Sequence, residues 1–139
     1  MWYLGSKNRI AKDLVPIIQS YINKDTKGYL EPFVGGANII DKIKHTNKIG
    51  CDIHKELIAL LNKAKDDVEN IPNIITEQEY ITDKNNKLNY EDWYVGLVGF
   101  CATFSAKYFG GYCRSKKEKY KGEETTKAIK NLKIQSSNL

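Results

Sequence analysis

Glu31, the adjacent pair Gly35-Gly36 and Asp52 are the residues whose types and spacing point to chemistry on a small ligand. The first three stand in "YLEPFVGGANII", and Asp52 follows Gly35 by 17 positions at the end of "KIGCD". Glycines directly after a buried strand let the backbone turn tightly, approach a ligand and aim it at the positive end of a following helix. An acid at the end of the next strand falls about where α/β nucleotide sites hold ribose hydroxyls. Together these features suggest a nucleoside-type ligand at the C-terminal edge of a sheet. The dinucleotide fingerprint G-x-G-x-x-G is absent, which argues against a dehydrogenase. Glu31 is a poor neighbour for pyrophosphate and a good one for a cation, so a ligand with adenosine and a positive charge, such as S-adenosylmethionine, fits better. Spacing alone also admits a plainer reading, in which the glycines form a turn and Asp52 caps a helix.

The elements needed to position these residues are legible as a pattern. "RIAKDLVPIIQSYI" carries Ile10, Leu14, Ile17, Ile18 and Tyr21 at helical spacing, with Ser6 as the expected cap and Pro16 as an expected kink or stop. "KGYLEP" reads as a buried strand, "GGANIIDKIKH" as a helix, "KIGCDI" as a second strand, and "HKELIALLNKAKDDVENI" as a helix with Leu57, Leu60, Leu61 and Ala64 on one face. This alternation predicts a parallel α/β sheet with crossover helices. Thr76 and Glu79 predict a capping box. Beyond it, "YEDWYVGLVGFCATFSAKYF" predicts a long apolar helix in which Gly96 and Gly99 permit close backbone approach. The basic loop "GGYCRSKKEKYKG" and a last, weaker helix "EETTKAIKNLKI" complete the chain.

With 139 residues, 41% of them hydrophobic, the chain can bury a core as one domain or part of one. No apolar stretch of signal-peptide length opens the chain, and no segment approaches a membrane span, which predicts a soluble cytoplasmic protein with no membrane partner. Cys51, Cys101 and Cys113 lack metal-site spacing and predict free thiols, the first two in the core. The net charge of +5 is uneven: from Lys107 onward nine Lys/Arg face three acids, leaving 13 basic and 14 acidic residues before it. A basic end suits a phosphate backbone, although a solvated Lys-rich helix gives the same count.

"YLGSK" (3–7), "YLEPFVGGANII" (29–40) and "GCDIHKELIALLN" (50–62), in that order, resemble the first motif blocks of Dam-type DNA adenine methylases, the D12 class of N6-adenine methyltransferases. "GFCATFSAKYFGGYCR" is similar to the region before that family's DNA-contacting loops, so the resemblance runs to about Arg114. It implies an incomplete Rossmann-like, S-adenosylmethionine-dependent α/β fold with a helix-rich second half, divided into a cofactor-binding part (1–70) and a helical, basic, DNA-contacting part (71–139). By this resemblance Tyr3 stands against the cofactor and Lys7 is the cofactor-site lysine. Glu31, Phe33, Gly35 and Gly36 wrap the methionine end, Asp52 binds the ribose, and Ile53 packs on adenine. Double-stranded DNA is the implied partner. Its candidate contacts are Lys107, Tyr108, Tyr112, Arg114, Lys116, Lys117 and Lys119, where cations hold phosphates and rings pack on sugars or bases.

One departure from the family pattern governs the expected activity. Such methylases use an Asp/Asn-Pro-Pro-Tyr/Phe segment to hold the exocyclic amine and stack on the flipped base. Here the prolines are Pro16, Pro32 and Pro72, so no Pro-Pro exists and no catalytic residue can be assigned. Two readings follow. The chain is a truncated methylase, inactive unless a complementing chain supplies the missing part, or it is a non-catalytic cofactor- or DNA-binding module.

Overall fold

The computed structural model describes residues 1–114 and 123–139. Helix α1 (Asn8–Ser20) is followed by strand β1 (Tyr29–Glu31) and strand β2 (Lys48–Gly50). Helices α2 (Lys55–Asp66), α3 (Glu77–Asn85), α4 (Asp92–Cys101) and α5 (Glu123–Ser136) come next. The strands pair in parallel with Tyr29 opposite Lys48, Leu30 opposite Ile49 and Glu31 opposite Gly50. The result is a helix-rich α/β structure around a small two-stranded parallel sheet.

The connection between the strands corrects one expectation. In place of a crossover helix over "GGANIIDKIKH" there is only a 3-10 turn, Ile40–Lys42. Gly35 (φ 50°) and Ala37 (φ 59°) both sit in the left-handed region, so a right-handed helix cannot propagate through them. The carbonyl of Asn38 is taken by the Lys42 ammonium at 2.9 Å, and the Lys42 N–H bonds back to Ile39 at 2.8 Å instead. A three-residue step, not a four-residue one, is thereby selected.

Four further details differ from the sequence pattern. Helix α1 runs through Pro16: proline and Lys12, whose carbonyl loses its partner, are both exposed, so water satisfies that group. Its N-cap position belongs to Lys7, but Ser6 Oγ still accepts the Asn8 N–H at 3.1 Å. Helix α4 stops at Cys101, well before Phe109. Ser105, Ala106 and Phe109 adopt positive φ, and an antiparallel bridge between Thr103 and Tyr112 folds the chain back. Cys51 is exposed and not in the core, because it lies past the end of β2, whereas Cys101 is buried and its thiol is pushed up to about 12 by desolvation.

The core is built mainly where α2 meets α4. Leu57, Leu60, Leu97 and Val98 are fully buried, each apolar side chain contributing about 1.5–3 kcal/mol. Ile129 and Leu132 of α5 close this cluster, while Ala11 with Ile39 and Ile43 forms a smaller one beneath α1. Gly96 allows the close helix crossing, since a methyl group there would overlap the Glu56 carbonyl. The Thr76–Glu79 capping box forms as predicted. On the sheet, Leu30 and Ile49 lie side by side and remain 60% and 54% exposed, so one face is covered and the other is bare. Among the described residues no helix is long and apolar enough to cross a membrane.

Candidate functional site

The C-terminal ends of β1 and β2 bring residues 3–7, 31–36 and 52–53 together. The strands remain tied beyond their ends: Cys51 N–H bonds to Glu31 O and Val34 N–H to Cys51 O, both at 2.8 Å. Asp52 is thereby set beside the glycine loop. Its Oδ2 accepts the Gly35 N–H at 3.1 Å, and its Oδ1 accepts the His54 N–H at 3.1 Å at the entrance of α2. Each carboxylate oxygen keeps lone-pair capacity for a further donor.

Glu31 is 6% exposed. Its Oε1 lies 3.3 Å from Lys7 Nζ, yet that oxygen has no hydrogen-bond partner. Lys7 Nζ also donates to the Phe33 carbonyl at 2.6 Å, which ties the N-terminal segment to the loop. The other oxygen, Oε2, accepts the Tyr29 hydroxyl at 3.4 Å. Burial and, secondarily, the Glu31 charge push the Tyr29 phenol up to about 12, so it remains a donor. Tyr3 lies against the glycines: a Cβ on Gly35 would stand 3.2 Å from its ring, and one on Gly36 would meet its Cβ at 2.7 Å. Desolvation, then Asp52, raises the Tyr3 phenol. Phe33 is 78% exposed and Ile53 is fully exposed, leaving two apolar side chains open at the rim.

The groups gathered here are a buried carboxylate that already faces the Lys7 ammonium, the Asp52 carboxylate with lone pairs to spare, and the bare faces of Phe33 and Ile53.

Sequence reasoning missed the residues that hold the loop from behind. Asn38 Nδ2 donates to Met1 O at 2.9 Å and Ser6 Oγ at 2.8 Å. Gln135, on α5, reaches the loop across about a hundred residues of sequence; no short-range signal marks such a residue. These residues border a cavity of about 1240 Å³ between the N-terminal segment, the turn at Phe104–Ala106 and α5. Tyr3 lines it, whereas Glu31, the two glycines and Asp52 do not. His54, at the entrance of α2, packs edge-on against Phe100 and Tyr108, with centroids 5.0 and 4.4 Å away.

The candidate DNA contacts divide by orientation. Lys107 and Arg114 are exposed, and Arg114 is held by Glu77 of α3 through its Nε at 2.9 Å and a second guanidinium nitrogen. Tyr108 and Tyr112 turn inward. The first packs on Phe100 and His54, and the second donates its hydroxyl to Ile75 O at 2.8 Å. Cations rather than rings therefore face solvent here. Lys116, Lys117 and Lys119 lie outside the described residues.

A strand-end acid, a glycine loop and a Glu-Lys pair with its carboxylate buried lie together at one end of two parallel strands. The comparison with known families narrows this. The model of D12 class N6 adenine-specific DNA methyltransferases matches residues 3–137, and the chain belongs to that family. No curated protein and no solved structure matches it.

Proposed function

We propose that this chain binds S-adenosylmethionine at Glu31, the 33–36 loop, Asp52 and Ile53, with Tyr3 and Lys7 bracing the loop. Its exposed C-terminal cations contact double-stranded DNA, and the chain transfers no methyl group by itself. The observation that carries the reading is the convergence of Lys7, Glu31, Gly35 and Asp52 at the strand ends, with Glu31 buried and paired to Lys7. S-adenosylmethionine, when bound, supplies an electrophilic methyl group. The residues here orient its amino-acid and ribose ends: Glu31 by charge, Asp52 by hydrogen bonding, and the glycines by allowing close backbone approach.

The receiving half of the reaction has no residues in this chain, since no Pro-Pro segment occurs. A complementing chain that supplies that segment beside the incomplete Rossmann-like sheet restores adenine N6-methylation in this reading. Residues 1–70 then act as the cofactor part and 71–139 as the DNA-facing part of a cytoplasmic enzyme. The same absence supports a second reading, a non-catalytic binding module derived from such an enzyme. Calorimetry with S-adenosylmethionine tests the shared premise. A folded chain that gives no heat at millimolar cofactor ends both forms of the cofactor assignment.

A further inference from the structure

Gln135 is 5% exposed and its side chain belongs to no helix-internal bond. Its Nε2 lies 3.1 Å from Gly36 O, 2.9 Å from Ala37 O and 3.0 Å from Asp41 Oδ2. Its Oε1 accepts the Met1 amino group. A single buried amide from α5 thus shares its two N–H donors among two successive carbonyls of the glycine loop and Asp41, within the turn that follows. Gly35 and Ala37, at φ 50° and 59°, keep this loop out of any regular helix or strand. Gly36 O also receives the Met1 amino group at 3.2 Å and Ala37 O a long bond from the Asp41 N–H at 3.3 Å, and the Gln135 amide adds a side-chain donor to each. Weakening the hydrogen bonds of buried carbonyls is costly.

We propose that Gln135 is a positioning residue for the cofactor loop: by fixing the carbonyls of Gly36 and Ala37 it holds residues 35–37 in the conformation that receives the ligand. The functional half of this inference rests on the cofactor assignment above; the structural half does not. It makes α5 part of the binding apparatus through the contacts of Gln135 with the loop carbonyls and Asp41. A ligand that orders the loop will in turn protect the Gln135 contacts, because the coupling is reciprocal.

The test uses the full chain with Gln135→Met, which keeps length and volume but removes both donors. Hydrogen exchange is followed at residues 34–38 and, as the control, at 95–98 of α4, and cofactor affinity is measured beside it. The expected result is faster exchange confined to 34–38, with affinity for S-adenosylmethionine lower by about tenfold. Unchanged exchange at 34–38 overturns the proposal, as does a uniform rise across α4, which marks a general loss of packing. If the wild-type chain binds no cofactor, the cofactor reading fails while a local change at 34–38 still supports the positioning of the loop. Should the methionine variant not fold, Gln135→Asn gives the same readouts, because the amide is kept but withdrawn by one methylene.

Discussion

The Gly35 N–H and the Asp52 carboxylate are joined at 3.1 Å across 17 residues of sequence, and the same carboxylate receives the His54 N–H at 3.1 Å. One acid therefore locks the glycine loop onto the strand end and opens α2. Removing it frees two donors and also takes away the acceptor for the ribose. Asp52→Ala is expected to weaken S-adenosylmethionine binding by tenfold or more, about 1.4 kcal/mol or above. Calorimetry checks this, and equal affinity in the variant would move the site elsewhere.

Lys7 and Glu31 give a second prediction of opposite logic. Lys7 keeps its 2.6 Å bond to Phe33 O but leaves the nearer Glu31 oxygen without a hydrogen bond. Glu31→Gln retains the shape and removes the charge that would meet the ligand's ammonium. Cofactor affinity should fall several-fold, while S-adenosylhomocysteine, which lacks the sulfonium but keeps the ammonium, should lose a comparable factor. A loss confined to the sulfonium ligand would place Glu31 near the sulfur instead.

Much of this site was legible before folding because its chemistry is local. "YLEPFVGG" and "GCDI" carry the strand ends, and the parallel pairing puts Glu31 opposite Gly50, so Asp52 must emerge beside the loop. The missing crossover helix was not legible. Ile39, Ile40 and Ile43 suit a helix face, yet the burial of Ile39 and Ile43 beside Ala11, and of Ile40 in the main core, is met equally by a tight turn once Gly35 and Ala37 are left-handed. The packing of Tyr108 and Tyr112 was not legible either: interleaved with cations in the sequence, both become half-buried where the chain reverses after Cys101. Gln135 carried no signal, since its partners lie 98 and 99 residues away.

Asp83 makes a pH prediction. It is fully buried on α3, neither oxygen has a hydrogen-bond partner, and desolvation raises its carboxyl to about 6, with Lys87 only partly offsetting this. Because the folded value lies above the ordinary 3.8, the folded chain holds this proton more tightly than the unfolded one. Stability from this group is therefore present at about pH 4 and is lost as pH rises through 6, at a cost approaching about 3 kcal/mol. Asp83→Asn should raise stability at pH 8 and make little difference near pH 4. Denaturant unfolding at the two pH values checks it, and a destabilised variant at pH 8 would contradict the reading.

Gly96 sets the distance between α2 and α4, the largest helix contact in the core. A methyl group at that position overlaps the backbone carbonyl of Glu56, and a carbonyl cannot swing aside as a flexible side chain can. Gly96→Ala should therefore destabilise by about 1–3 kcal/mol despite its better helix propensity. Thermal unfolding decides the matter, since propensity alone predicts a gain.

The last prediction concerns what the chain does alone. Methyl transfer to adenine requires the exocyclic nitrogen to be held with its lone pair aimed at the methyl group, and positioning of this kind supplies much of the rate. In the proposed reading Glu31, Gly35, Gly36 and Asp52 hold the donor side, and the sequence, whose prolines are Pro16, Pro32 and Pro72, contains no Pro-Pro segment to hold the acceptor. Incubation with labelled S-adenosylmethionine and DNA should leave the DNA unlabelled while calorimetry still reports cofactor binding. Label in the DNA would refute the division between a chain that presents a methyl group and a missing part that receives it. Adding a second polypeptide that carries the family's Asp-Pro-Pro-Tyr segment then separates the two readings: transfer restored marks a broken methylase, and binding without transfer marks a module that has kept only the donor half.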